Sequence, residues 1–87
     1  MTVKMSFTIA SGKKGVRLNH DAFTANSIVT QIVITSGESN LNSKLEWSSN
    51  TGYIQVGGTV ATSGAVQGYI IVIRGAEINA TSSSDID

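Results

Sequence analysis

The chain of 87 residues contains no cysteine and no proline, and it has one histidine and five aromatic side chains, namely one Trp, two Tyr and two Phe. Each scarcity excludes something. Without cysteine there are no disulfides, no thiolate metal sites and no cysteine nucleophile. Metal sites take three or four ligands, so His20 beside Asp21, with no second imidazole and no thiol, is read as a surface loop pair. A nucleophilic serine needs an oriented base, and His20 stands in no G-x-S-x-G context. Catalytic, cofactor-binding and metal-binding residues are therefore all read as none, and the chain is not read as an enzyme.

Long hydrophobic runs are missing too. The longest run of aliphatic residues is four, far below the roughly 20 that a membrane-spanning helix requires. The first ten residues alternate polar and apolar rather than forming the apolar core of a signal peptide, so a soluble protein is expected, made in the cytoplasm without a secretion signal. Six basic and six acidic residues give a formal net charge of zero, which argues against a dedicated nucleic-acid binder. The charges are nonetheless segregated, with Lys4, Lys13, Lys14 and Arg17 in residues 1–20 and all the acids later. Lys13, Lys14 and Arg17 are thus candidates for an electrostatic contact, against a plainer reading as solvated lysines on a turn. Gly12-Lys13-Lys14-Gly15 has neither the spacing of a phosphate loop nor a helix after it.

What is present is β-branched and alternating. Residues 65–75, A-V-Q-G-Y-I-I-V-I-R-G, hold four consecutive aliphatics of which most are stiff at χ1 and suited to a pleated strand. Strand geometry sends Tyr69, Ile71 and Ile73 to one face and Ile70 and Val72 to the other, so both faces need cover. A thin two-layer fold covers one; a loop or another copy of the chain must cover the second. Residues 27–35 are likewise apolar on both sides, with Ile28, Ile32 and Ile34 expected on one face and Val29 and Val33 on the other. Tyr69, Ile71, Ile73, Val29 and Val33 are accordingly the candidate interface.

Residues 2–10 give a clean period of two, with Val3, Met5, Phe7 and Ile9 on the core side. With a turn at 11–15 and a return over 15–18, residues 2–18 are expected to form a hairpin. Residues 19–26 are polar and irregular, touching the core at Ala22 and Phe23, with room for one helical turn. Further short strands are expected at 44–48, 53–56 and 59–62, with Trp47 a core residue, and an extension at 77–79 past a bulge at Gly75. No ten-residue stretch has helical periodicity. The expected fold is all-β: a small antiparallel sandwich or barrel of about seven strands, in one domain over 1–80 with a flexible acidic tail at 81–87.

From Leu45, the run L-E-W-S-S-N-T-G-Y-I-Q-V-G-G-T-V, and then G-A-V-Q-G-Y-I-I-V from Gly64, resembles the bacterial immunoglobulin-like group 2 domain. Trp47, Ser48, Ser49 and Asn50 match that family's W-S-S-x-N strand end, Gly58 and Val60 its glycine turn and following strand, and Gly68, Ile70 and Val72 its last strand. The match covers residues 45–73, while residues 1–44 depart from the pattern and leave an unrelated sandwich or a jelly-roll-like coat subunit open. The resemblance implies an immunoglobulin-like module, without catalytic residues, that extends or decorates surfaces. Combined with small size and doubly apolar strands, it leads to the expectation of a structural phage virion protein, either a head decoration or cement protein or a tail component. Such a protein would be made in the host cytoplasm and end in a virion, self-associating, for instance as a trimer, and binding a larger assembly such as a capsid. The alternative is a binding module for a glycan or single-stranded nucleic acid, the latter using Lys13, Lys14 and Arg17 with Phe7 and Phe23.

Overall fold

A computed structural model describes residues 2–73 and 82–87. It is an all-β sandwich with seven strands among the described residues: β1 (Thr2–Ile9), β2 (Gly15–Asn19), β3 (Ile28–Ser36), β4 (Glu46–Asn50), β5 (Tyr53–Gly57), β6 (Val66–Ile73) and β7 (Ser82–Ile86). All pairings are antiparallel; β6 lies between β1 and β3 in a three-stranded sheet, and β4-β5-β2-β7 form a four-stranded one. The core lies between the layers and is built from alternate residues, as a period of two requires. Val3, Met5, Phe7 and Ile9 of β1, Val66, Ile70 and Val72 of β6, and Val29 of β3 meet Val16 and Leu18 of β2 and Ile54 and Val56 of β5. Phe23 closes the core with no exposed surface.

Residues 2–18 are not a hairpin. β1 pairs with β6, while β2 pairs with β5 and β7 in the other layer. The turn between them is tight, with the Lys13 N–H donating to the Ala10 carbonyl at 3.1 Å and Gly12 at φ 81°, where only glycine is unstrained. Alternation fixes which face of β1 is buried, and that face is satisfied equally by a neighbour in the sheet or by a partner across the core.

Residues 59–62 are not a strand either. Their backbone groups are taken up by loop side chains: Ser43 Oγ accepts from the Thr59 and Val60 N–H groups at 3.0 and 3.2 Å, and Asn42 Nδ2 donates to the Ala61 carbonyl at 2.9 Å. The Thr62 N–H donates to the Lys13 carbonyl at 3.0 Å and its hydroxyl to that of Ala10 at 3.1 Å. A backbone satisfied this way has no call on a ladder. The expected helical turn within 19–26 is a pair of turns. The expected extension at 77–79 and the bulge at Gly75 lie outside the described residues.

The tail expected at 81–87 is not free over its described part, since Ser82–Ile86 pairs along the whole of β2 from Asn19 to Gly15. The Lys14 N–H donates to the Ile86 carbonyl at 2.8 Å, and the Lys13 ammonium pairs with the Asp87 carboxylate. Part of the charge segregation is thus neutralised inside the chain. That partner and its hydrogen bond hold Asp87 below its ordinary 3.8 and Lys13 above its ordinary 10.5. The depressed carboxylate contributes stability above pH 3.8 that is lost as the pH falls through its folded value. The raised ammonium contributes below 10.5 and is lost on the alkaline side. Because the pair is exposed, Asp87→Asn should lower the melting temperature only slightly at pH 7, and the difference from the wild type should vanish near pH 2 and in high salt. A difference that persists in melting curves at pH 2 would show that Asp87 acts through something other than this pair.

Candidate interaction surface

The register of the three-stranded sheet sorts its outer side chains into rows. Ile28, Ile73 and Thr2 form one row, Gln31, Ile71 and Lys4 the next, then Val33, Tyr69 and Ser6, and finally Ser36, Gln67 and Thr8. The apolar side chains stand at one end of β6 and β3, whereas β1 contributes only polar ones, Thr2, Lys4, Ser6 and Thr8. At the apolar end Ile28 is 51% exposed and Ile73 47%, and Ile71, Val33 and Tyr69 are half-buried. Directly opposed β-branched and aromatic side chains are favourable cross-strand pairs, which stiffens the face as a platform. The one charge among these rows, Lys4, lies over the Tyr69 ring with Nζ 4.3 Å from its centroid.

Of the candidate interface residues, the structure brings Tyr69, Ile71, Ile73 and Val33 onto this face. Val29 is not there; it is in the core at 4% exposed. The cause is a bulge at Thr30, where the register jumps from Val29–Val72 to Gln31–Ile71. The extra residue turns Val29, Ile32 and Ile34 inward together and leaves Ile28 outside, so Ile28 takes the place that strict alternation assigns to Val29. Thr30 Oγ1 donates to the Ile71 carbonyl at 3.2 Å, and Thr35, at the second bulge, to that of Gln67 at 3.2 Å. Both bulges are therefore tied to β6 by threonine hydroxyls.

The basic residues are dispersed. Lys13 is paired with Asp87, and Lys14 is exposed at the turn. Arg17 lies on the outer face of the four-stranded sheet, its guanidinium 4.7 Å from the Tyr53 ring centroid and its Nε 3.4 Å from Gln55 Oε1. Phe7 and Phe23 are buried, so neither ring can stack a base. Trp47, expected in the core, is 40% exposed on the edge strand β4. It shares the inward side with Val56, but among the described residues the opposite layer has three strands against four, and the ring is not fully covered. Lys44, Glu46, Trp47, Ser48 and Gln55, with Gly57, Gly58 and Thr59, line a shallow groove of about 360 Å³.

His20 has a structural task. Its Nδ1 accepts the Ala22 N–H at 2.9 Å, which requires that nitrogen to be unprotonated, and its ring meets Phe23 edge-on with centroids 6.0 Å apart. Among the described residues no group of three or more His, Cys, Asp or Glu is placed to hold a metal ion.

Set against known protein families, curated proteins and solved structures, the chain matches none. Fold and surface are therefore the basis for its function.

Proposed function

We propose that this chain is a non-enzymatic structural protein that associates with copies of itself and builds into a larger protein assembly. A phage particle is the setting that the resemblance of residues 45–73 implies, with the chain as a decoration, cement or tail subunit. The observation that carries the proposal is the apolar end of the outer face of β6 and β3, where Ile28, Ile73, Ile71, Val33 and Tyr69 stand together. Contiguous exposed apolar surface of this kind marks protein contact sites. A zero formal net charge leaves no long-range repulsion to keep copies apart.

The test is sedimentation equilibrium across a range of concentrations and at two salt levels. The wild type is expected to exceed the monomer mass at both salt levels, because an apolar contact is not screened as an ionic one is. Ile28→Ser combined with Ile73→Ser is expected to lower the limiting mass, and because both side chains are half exposed the variant should stay folded. A wild-type monomer at every concentration, or a double variant of unchanged mass, would overturn the proposal.

A further inference from the structure

The outer face of the four-stranded sheet is polar, and its register sets the side chains in rows. Asn50, Tyr53 and Asn19 form one row, Ser48, Gln55 and Arg17 the next, and Glu46, Gly57 and Gly15 the last. The two glycines are required by the close approach of their strands, since a methyl on Gly57 would lie 2.9 Å from both the Gly15 Cα and the Lys14 carbonyl oxygen. Their consequence is bare sheet beside Glu46, inside the groove of about 360 Å³. Main chain holds the rim of that groove open: the Gly58 N–H donates to the Lys14 carbonyl at 2.9 Å, and the Thr59 N–H to Ser43 Oγ at 3.0 Å. A site fixed before binding loses little ordering entropy when it fills.

The groove also lies beyond reach of residues 74–81. Ile73 and Ser82, which bracket them, stand at the opposite end of the sandwich, by Ile28 and Asn19. Strand spacing and rise put Ser82 about 20 Å from Glu46. Going from Ile73 to the groove and back to Ser82 takes about 40 Å of chain, whereas the nine Cα steps between them span about 32 Å at full extension.

The polar groups around the groove are oriented. Gln55 Oε1 accepts from Arg17 Nε at 3.4 Å, and that guanidinium is itself seated on the Tyr53 ring, so the Gln55 amide turns its N–H donors toward Ser48. Ser48 Oγ accepts from Asn50 Nδ2 at 3.3 Å, which leaves its own hydroxyl hydrogen to give. Glu46 and Lys44 carry opposite charges, and neither has an ion-pair partner among the described residues.

This set selects by exclusion. An anion meets Glu46 and a cation meets Lys44, so neither sign of charge is favoured. An apolar guest would leave three donors and a carboxylate unpaired. What satisfies them together is a neutral ligand whose neighbouring groups each donate and accept, as hydroxyls do. We infer that the groove binds a neutral pyranose residue of a glycan, whose hydroxyls donate to Glu46 and accept from Ser48, Gln55 and Lys44. Trp47, which lines the same groove and is 40% exposed, adds apolar surface for the ring carbons. The volume is near the lower end of the roughly 300–1,000 Å³ of small-ligand sites. The site is on the opposite layer from Ile28 and Ile73, so the inference is independent of the self-association proposed above.

The test is heteronuclear NMR of the whole chain with linear trisaccharides of glucose, galactose, mannose and N-acetylglucosamine, and with tri-alanine and inorganic phosphate as competing probes. At least one trisaccharide is expected, at millimolar concentration, to shift the amides of 46–48 and 57–59 and to change the fluorescence of Trp47, the only tryptophan. Glu46→Ala and Gln55→Ala, at an exposed and a half-buried position, should stay folded and each weaken that binding at least about fivefold. The Ile28→Ser, Ile73→Ser variant is expected to bind as the wild type does, even where its self-association is lost. No response to any trisaccharide, unchanged affinity in both alanine variants, or a stronger response to tri-alanine or phosphate at the same amides would overturn the inference.

Discussion

Replacing Phe23 with alanine is expected to remove about 3–5 kcal/mol of stability. The ring has no exposed surface and is the largest fully buried side chain. It closes one end of the core from a segment without regular structure, so no neighbouring strand can slide in to fill the space. The backbone around it is pinned as well: its N–H donates to the His20 carbonyl at 3.1 Å and its carbonyl accepts the Gly52 N–H at 3.0 Å. A pinned site relaxes little when its side chain is removed, and the cost of a cavity rises with the volume left unfilled. With 87 residues, total stability is expected at roughly 4–13 kcal/mol. The variant should therefore melt at least about 12 °C below the wild type, or be partly unfolded at 25 °C. Urea unfolding followed by circular dichroism measures this directly. A loss under about 1 kcal/mol would mean that the ring is not a structural part of the core.

Phe23 also shows how much a single sequence carries. An isolated aromatic in a polar loop has little else to do than enter the core, and it does. β1 is legible in the same way, because strict alternation admits only one buried face. The double apolarity of β6 is legible as a demand for two covers, and its inner and outer residues fall as strand geometry requires. What alternation does not carry is the identity of a neighbour. β1 and β2 are read as a hairpin because they are close in sequence, yet they face each other across the core. Residues 59–62 have strand composition, but Ser43 and Asn42 satisfy their backbone from a loop that lies far off in sequence. Ser82–Ile86 lacks strand composition altogether; its pairing with β2 is a backbone matter, reinforced by Asp87 on Lys13.

The candidate surface was readable to a similar depth. Tyr69, Ile71, Ile73 and Val33 follow from period two, but a bulge resets the phase, and the error at Val29 and Ile28 is one residue of phase. A signal was available: Thr30 and Gln31 are consecutive polar residues inside an apolar run, and an inward Val29 followed by an inward Ile32 needs one extra residue between them. The exposure of Trp47 had no such signal, because it goes with an opposite layer of three strands against four among the described residues.

Gly68→Ala tests the packing on which the outer face depends, and is expected to cost about 3 kcal/mol, at the upper end of the overpacking range. Glycine within a central strand is ordinarily a weakness, and here two neighbours account for it. A methyl at this position would lie 2.2 Å from the Val33 carbonyl oxygen and 3.1 Å from the Phe7 ring. The ring belongs to the residue directly opposite on β1, and it occupies the space that a side chain at position 68 would need. The carbonyl belongs to β3 beside its second bulge, so relieving the clash means moving main chain, which a flexible side chain cannot do instead. The strand that must move carries Val33, whose side chain stands beside Tyr69 on the outer face. Gly68→Ala should therefore lower the melting temperature by more than about 10 °C and weaken self-association together, whereas the double serine variant weakens association alone. The discriminating measurement is the melting temperature of Gly68→Ala alongside Phe7→Leu, Gly68→Ala. If the clash with the ring dominates, the smaller side chain at position 7 restores much of the loss; if the Val33 carbonyl dominates, as the shorter distance requires, it restores little. Full recovery in the double variant would show that β3 can give way, and that its bulges are not the rigid stops that the two threonine hydroxyls make them.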